Sequence, residues 1–261
     1  MDISMLSVAG DTFQTRLWSA GEGEPLLYLH GFEGHSGNAP FLTSLAEQRR
    51  VIAPEHPGYG DSTGIEQIDD VVDMTLYYRQ LVETLDLGQV DVIGHSLGGM
   101  FAAEFAALCP QHVRRLVLVA PFGIWLEEAQ IPDLFVMSPS QLQRATWHDP
   151  ESPRAQQTLT QTTNGTSGVQ AIVRRAGNLS TAGKFLWPIP DRGLAKRLPL
   201  IHAQTLVLLG DADRLITRPY GDAFTAMIPN ASLHIIAGAG HTPMLEQPEA
   251  FLAATQAFLG G

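Results

Sequence analysis

Cysteine and basic residues are both scarce in this 261-residue sequence. The single cysteine, Cys109, excludes any framework of disulfide bonds, and its place beside Pro110 at the end of an apolar run predicts a small core residue. Lysine and arginine number 16 against 27 aspartate and glutamate residues, which gives a formal net charge of −11. No basic cluster is longer than a pair of residues, so the sequence argues against a nucleic acid as a partner.

Long apolar runs are also missing. No stretch is long enough to cross a bilayer, and residues 1–13 contain neither the basic region nor the apolar segment of a signal peptide. These two absences predict a cytoplasmic protein without a membrane partner. The sequence has no metal-ligand spacing, P-loop or dinucleotide-binding glycine motif, so we expect no cofactor and no metal ion.

Short apolar runs alternate with helical patterns along most of the chain. Residues 3–8 and 13–18 alternate around Gly10-Asp11, which predicts a hairpin. Further strands are predicted at 25–30, 49–54, 90–95, 114–121, 202–210 and 232–238, and helices at 39–48, 68–85, 100–108, 218–228 and 247–259. This alternation is typical of an α/β fold that has a mostly parallel central sheet and helices on both faces.

The alternation stops between residues 122 and 201, which hold many Pro, Gln, Thr and Trp residues and no clear buried strand. A segment of roughly eighty residues is too long for an ordinary connection. We therefore expect a helical insertion at 122–201, with residues 1–121 and 202–261 forming the core. Within the insertion, the polar piece at 158–170 is expected to be a mobile loop.

The stretch VDVIGHSLGGMFAAEFAAL, at 90–108, places Ser96 between a predicted strand and a predicted helix. A lone serine before a helix is usually an N-cap. Here Gly94 and Gly98 flank the serine, and the G-x-S-x-G pattern makes a tight strand-to-helix turn that exposes the hydroxyl above a sheet. The sequence therefore allows Ser96 two roles, as the start of a helix and as a nucleophile.

Possible partners for Ser96 follow two later strands. A serine nucleophile needs a base within hydrogen-bond reach, and that base needs an orienting carboxylate. Asp211 and Asp213 follow one predicted strand and His241 follows the next, at the strand ends where sites gather in open parallel sheets. Each residue alone could be structural. The order Ser, Asp, His is nevertheless the one expected for a catalytic triad in such a sheet.

Five pieces of the chain together resemble the α/β-hydrolase fold superfamily: LHGFEG, PEHPGYGDS, GHSLGG, LLGDADRL and GAGHTPMLEQPEAF. The resemblance implies a serine hydrolase with a cap domain at the insertion, and an acid three residues after Gly210. That position is Asp213, with Asp211 in reserve. An oxyanion hole needs two backbone N–H donors. The resemblance assigns one to Phe32, and the other is expected from Leu97, the residue after the nucleophile.

Two loops depart from the pattern of that superfamily. Glu55 and His56 stand where relatives often have an aspartate and an apolar residue. His30 is expected to brace the loop that carries Phe32, and His35 lies further along the same loop. For His35, and for Arg174 in the insertion, a contact with substrate and an ordinary structural role are both open.

Large apolar side chains of the insertion are candidates for the roof of a substrate pocket. The sequence does not separate them from side chains that pack the insertion against the core. The candidates are Trp125, Phe135, Met137, Trp147, Phe185 and Trp187 in the insertion, and Met100 and Met244 in the core.

Three functions fit these motifs. The leading hypothesis is hydrolysis of a small-molecule carboxylic ester through an acyl-enzyme on Ser96. The alternative is C–C bond hydrolysis of the meta-cleavage-product type, although those enzymes often have a Trp directly after the catalytic histidine, where this chain has Thr242. The third is a non-catalytic ligand-binding relative. The chain could be a monomer or a homodimer.

Overall fold

The computed structural model describes residues 1–156 and 168–260. Its strands are β1 (Asp2–Val8), β2 (Phe13–Ala20), β3 (Pro25–Leu29), β4 (Arg50–Pro54), β5 (Val90–His95), β6 (Val113–Val119), β7 (Gln204–Gly210) and β8 (Ala231–Ile236). Its helices are α1 (Pro40–Ala46), α2 (Val71–Thr84), α3 (Leu97–Leu108), α4 (Pro139–Thr146), α5 (Gly168–Leu186), α6 (Leu194–Arg197), α7 (Arg218–Met227), α8 (Pro243–Glu246) and α9 (Pro248–Gly260). Short 3-10 turns occur at Ile65–Gln67, Pro110–His112, Glu127–Ala129 and Leu198–Leu200. Within the described ranges, no helix is both long and apolar enough to cross a membrane.

All eight strands form one sheet in the order β1-β2-β4-β3-β5-β6-β7-β8. The β1–β2 hairpin and the β2–β4 pair are antiparallel, and all other neighbours are parallel. The α/β fold and the hairpin predicted from the sequence are confirmed. Because β3 to β8 run in the same direction, the loops that follow them meet at one edge of the sheet.

Both faces of the sheet are covered, as the period-2 pattern of its strands shows. In β3, Leu27 and Leu29 pack into a cluster with side chains of α2 and α3. Leu26 and Tyr28 point the other way, into a cluster with side chains of α1 and α9. β3 is therefore apolar on both sides, as expected for a strand between two layers of helices.

The helix that follows β5 is buried along almost its whole length. All α3 residues from Leu97 to Ala107 are buried, and Glu104 is the one charged residue among them. The guanidinium of Arg197, at the end of α6, donates two hydrogen bonds of 2.5 and 2.6 Å to the Glu104 carboxylate. Burial raises the pKa of Glu104, and the bonds from Arg197 oppose that rise.

The segment between β6 and β7 contains α4, α5 and α6 and, in its described part, no strand. Helix α5 lies over the loops that follow β3 and β4. Side chains at three-residue spacing on α5 donate to backbone carbonyl oxygens of those loops: Asn178 to Glu33 at 2.5 Å, Thr181 to Gly58 at 3.0 Å and Lys184 to Ile65 at 3.2 Å. Most of the polar piece at 158–170 lies outside the described residues, so its expected mobility and the proposed division into core and cap stay predictions.

Replacing Arg197 by methionine is expected to lower the free energy of unfolding by about 3 kcal/mol, because Glu104 is left buried without a partner. The double variant Glu104→Leu/Arg197→Met removes both charges and should recover most of that loss. Denaturant unfolding of the two variants and the wild type measures the difference. A single-variant loss no larger than that of the double variant would contradict this account of the pair.

Candidate active site

The backbone at Ser96 turns sharply between β5 and α3. Ser96 has φ 58° and ψ −117°, a backbone conformation that residues other than glycine rarely adopt. Two hydrogen bonds hold it: Ser96 N–H donates to Val119 O at 2.8 Å, and Phe122 N–H donates to Ser96 O at 3.1 Å. Both partners belong to β6 or the loop after it, so the neighbouring strand stabilises the strained turn.

Glycines on both sides of Ser96 allow close contact between backbone segments. A Cβ atom added to Gly94 would overlap the carbonyl of Gly98, and one added to Gly98 would overlap the carbonyls of Leu29 and His30. Neither glycine has a left-handed backbone, so the two glycines of the G-x-S-x-G motif are required by space and not by backbone conformation.

The structure brings Ser96, His241 and Asp213 together. Ser96 Oγ lies 2.8 Å from His241 Nε2, and His241 Nδ1 lies 2.9 Å from Asp213 Oδ2. Asp213 Oδ1 accepts two further bonds, from the N–H groups of Leu215 at 2.8 Å and Ile216 at 3.0 Å. Because Nδ1 faces a carboxylate, it carries the ring proton, and Nε2 is left to accept the serine proton.

The same geometry bears on the two open alternatives for these residues. The reserve acid, Asp211, is exposed, and its carboxylate accepts the N–H of Gly238 at 2.9 Å, away from His241. Ser96 does start α3, as the sequence suggested, but its side chain makes no N-cap hydrogen bond. Its hydroxyl is committed to His241.

Four further hydrogen bonds place the loop of His241. Its backbone N–H donates to Thr146 O at 2.6 Å, and its carbonyl accepts His95 Nε2–H at 2.8 Å. Glu246 accepts the N–H of Gly240 at 2.8 Å and that of His148 at 2.7 Å. Neither His95 nor Glu246 was assigned a role from the sequence, although both lie within the quoted motifs GHSLGG and GAGHTPMLEQPEAF.

Two backbone N–H groups are free to bind an oxyanion beside Ser96. Among the hydrogen bonds of the described residues, none uses the N–H of Leu97 or Phe32. Leu97 is the first residue of α3, where the N–H groups point out of the helix and the helix dipole is positive. The loop of Phe32 lies close to the serine, since a Cβ added to Gly31 would lie 3.1 Å from Ser96 Cβ.

A family model described as the alpha/beta hydrolase family matches residues 26–254, which span every strand from β4 to β8 and the three residues that the structure brings together. The chain belongs to the alpha/beta hydrolase family.

Similar proteins include hydrolases of different bonds. The hydrolase is 30% identical to a 2-hydroxymuconate semialdehyde hydrolase of Pseudomonas putida, over 95% of this chain and 91% of the relative. It is also 30% identical to a pimeloyl-(acyl-carrier protein) methyl ester esterase of Xanthomonas oryzae pv. oryzae, over 92% of this chain and 96% of the relative. Among solved structures, a bacterial membrane phospholipase A aligns with a TM-score of 0.83 at 25% identity, over 100% of this chain and 86% of that one.

A mainly apolar cavity of about 100 Å³ is lined by residues of the 122–201 segment of the hydrolase. Two of the predicted pocket residues, Trp125 and Phe135, line it together with Phe122. The Phe122 ring stands edge-on to the His241 ring, with centroids 5.9 Å apart. This ring therefore connects the cavity to the candidate base.

The other predicted pocket residues lie elsewhere or at its border. Met244 packs with the α1 and α9 side chains on the opposite face of the sheet, so the structure does not place it at the pocket. Trp187 is half exposed and stands edge-on to Phe135 at 5.9 Å. Met100 and Phe185 are fully buried in the main core cluster, and Met137 is partly buried against it. Trp147 is buried in the segment that contacts Gly240.

The structure also places the charged and polar residues for which a contact with substrate was left open. His35 stacks on Trp18, with ring centroids 4.0 Å apart, and donates to Ala53 O at 3.0 Å, so it stabilises its loop. Arg174 is exposed, whereas the neighbouring Arg175 donates to Met137 O at 3.1 Å. Glu33 is exposed but closely surrounded. Desolvation raises the pKa of its carboxyl, and the nearby His241 ring and Arg175 guanidinium oppose that rise.

Four histidines outside the triad are held neutral in the interior. Burial lowers the pKa of His95 and of His56 to about 3 and that of His35 to about 4, and it lowers the pKa of His30 well below its usual range. No group of three or more His, Cys, Asp or Glu side chains suited to a metal ion occurs in the described part of the chain. These histidines serve instead as hydrogen-bond donors and acceptors.

The buried histidines predict a loss of stability in acid. Between pH 6.5 and 4.5 the unfolded chain binds protons that these folded rings do not, so the free energy of unfolding falls as the pH falls. Each such histidine contributes about 1.4 kcal/mol per pH unit. His35→Gln should therefore reduce the slope of unfolding free energy against pH by about that amount. Urea unfolding of both proteins at several pH values measures the slopes, and parallel curves would contradict the prediction.

Alanine at two glycines is expected to have opposite effects. Gly98→Ala places a methyl group against two carbonyls and should lower the free energy of unfolding by at least about 2 kcal/mol. Gly177→Ala, in α5, meets no atom within 4 Å and should raise it by about 1 kcal/mol through helix propensity. Denaturant unfolding checks both signs; equal effects would show that the close contact at Gly98 is not limiting.

Proposed function

We propose that this hydrolase cleaves carboxylic ester bonds through an acyl-enzyme on Ser96. The observation that carries the proposal is the continuous hydrogen-bonded chain from Ser96 Oγ through His241 to Asp213. A serine hydroxyl is a weak nucleophile unless a base takes its proton, and an imidazole is a suitable base only when its tautomer is fixed. The geometry supports both conditions.

In the acylation step, Ser96 Oγ attacks the ester carbonyl carbon and its proton passes to His241 Nε2. Asp213 stabilises the imidazolium that forms. The carbonyl oxygen becomes an oxyanion, for which the free N–H groups of Leu97 and Phe32 are the donors. The C–O bond to the alcohol then breaks, and His241 returns the proton to the departing alkoxide.

Deacylation repeats these steps with water. His241 Nε2 takes a proton from the water as its oxygen attacks the acyl carbon, and the same N–H groups stabilise the second oxyanion. Breakage of the bond to Ser96 Oγ releases the carboxylic acid and restores the serine hydroxyl. Because the side chains of all three residues are almost fully buried, this chemistry takes place where donors and charges act strongly.

Two observations favour a neutral ester. The cavity beside Phe122 is lined mainly by apolar side chains. The loop that carries Phe32, which lies close to Ser96, contributes the buried Phe32 side chain. The methyl ester esterase among the relatives is consistent with this class of bond.

The second candidate is C–C bond hydrolysis of a ring-fission dienoate. The 30% identity to the 2-hydroxymuconate semialdehyde hydrolase, over nearly the whole of both chains, favours it. The same serine, histidine and aspartate would then act on a vinylogous ketone. Such a substrate carries a carboxylate, for which the exposed Arg174 is the candidate counter-charge.

Hydrolysis of p-nitrophenyl esters of increasing acyl length, beside a ring-fission dienoate, tests the proposal. Ser96→Ala should reduce ester turnover by about 10⁴-fold or more, because no other group supplies the nucleophile. Ser62→Ala is a matched control, since Ser62 is also buried but bonds to Glu55 and not to His241. Release of p-nitrophenolate and loss of dienoate colour are the measurements.

A maximum at one acyl length that vanishes in Ser96→Ala supports the esterase. Fast dienoate turnover with feeble ester turnover would replace it by the C–C hydrolase. Ester turnover that survives in Ser96→Ala would overturn both, as would wild type that neither turns over substrate nor becomes labelled at Ser96 by a fluorophosphonate.

A further inference from the structure

Two stacked histidines lie directly beneath the loop that carries Phe32. The rings of His30 and His56 are nearly parallel, at an interplanar angle of 20°, with centroids 3.5 Å apart. Both side chains are completely buried. His56 is the residue that departs from the apolar type expected at this position, so its polar ring needs an explanation.

Every ring nitrogen of this pair has a partner that determines where its proton sits. His56 Nε2 lies 2.8 Å from His30 O, and a carbonyl oxygen only accepts, so Nε2 carries the proton. His56 Nδ1 lies 2.6 Å from Tyr78 Oη. In a neutral ring Nδ1 must then accept, and the Tyr78 hydroxyl donates to it. Burial raises the pKa of Tyr78 well above its usual value, which keeps that donor proton in place.

The same reasoning assigns the proton of His30. His30 Nε2 accepts the backbone N–H of His56 at 3.0 Å, so it cannot carry a proton. His30 Nδ1 therefore carries it and donates to Gly31 O at 2.8 Å. The lowered pKa values of both rings agree with these single neutral tautomers.

The bond to Gly31 O sets the direction of a neighbouring donor. The carbonyl of Gly31 and the N–H of Phe32 belong to one planar peptide group, and in a trans peptide they point in opposite directions. His30 Nδ1–H and Gly34 N–H, at 2.8 and 3.1 Å, both hold that carbonyl. The N–H of Phe32 is thereby held at the opposite edge of the same peptide group, pointing away from these two donors.

A second set of hydrogen bonds connects the two histidines to the turn that carries Ser96. His30 O accepts His56 Nε2–H at 2.8 Å and Gly98 N–H at 3.0 Å. Gly98 directly follows Leu97, which carries the other free N–H. The two free donors are therefore connected through one carbonyl oxygen, and His56 donates to that same oxygen.

We propose that His56 and Tyr78 are positioning residues for the oxyanion hole: Tyr78 fixes the His56 ring, and His56 fixes His30 and so the direction of the Phe32 N–H. This inference rests on the proposed function, because it assigns a use to the Phe32 N–H. It extends that function to side chains that touch neither the substrate nor Ser96, His241 and Asp213.

A neighbouring tyrosine provides a matched control. Tyr77 precedes Tyr78 on α2, is equally buried, and uses its hydroxyl in a 2.8 Å bond to Thr15 Oγ1. Tyr78→Phe and Tyr77→Phe each remove one buried hydroxyl from the same helix. Only the first change removes a bond to His56.

The experiment measures kcat and KM for a neutral p-nitrophenyl ester, together with ¹⁵N and ¹H NMR shifts of the His56 ring and the Phe32 amide. Tyr78→Phe should lower kcat roughly tenfold with KM changed less than about twofold, because a misdirected donor costs less than a deleted one. The Phe32 amide and the His56 ring nitrogens should shift. Tyr77→Phe should leave kcat and these shifts near the wild-type values.

A second pair of variants separates positioning from packing. His56→Gln keeps an N–H that can reach His30 O, whereas His56→Leu has the apolar type expected at this position and no donor. The proposal requires His56→Gln to retain more of kcat than His56→Leu. Equal kcat in these two variants would overturn it, as would an unchanged Phe32 amide in Tyr78→Phe or an equal loss of kcat in Tyr77→Phe. If the wild type hydrolyses no ester, the proposed function fails, and the NMR shifts alone decide whether the positioning network exists.

Discussion

Ser96 has a strained backbone, with φ 58°, which persists only because the surrounding structure holds it. Around it, neighbouring backbone segments approach so closely that side chains would not fit between them. Gly94 and Gly98 permit that approach, and the bonds of Ser96 to Val119 and Phe122 hold the result. The close contact of Gly98 with the end of β3 then fixes where the loop of Phe32 can run. The positions of the candidate nucleophile and of both candidate oxyanion donors thus depend on one tight turn.

Much of this could be predicted from the sequence because the information is local. The strands, most helices outside the insertion and the turn at Ser96 follow from patterns a few residues long. The place of His241 was also predictable, since it comes shortly after a strand. The choice of Asp213 over Asp211 came from resemblance, and the distance of 2.9 Å from Asp213 to His241 gives its physical reason.

The supporting residues could not be predicted in the same way. His95 contacts the carbonyl of a residue 146 positions further on, and Tyr78 contacts His56 across 22 positions. Such pairs depend on how layers pack, which no short pattern records. Met244 shows the same limit of short patterns. It follows His241 closely in sequence, yet it packs with the α1 and α9 side chains on the other face of the sheet.

Helix α5 is attached to the core by Asn178, Thr181 and Lys184, each of which donates to a main-chain oxygen and not to a core side chain. Main-chain oxygens are the same whatever amino acid carries them. The core loops can therefore change most of their side chains over evolutionary time without losing the attachment of this helix. Attachment of this kind suits a family whose members act on different substrates, because the helix over these loops can change between relatives while the core is kept.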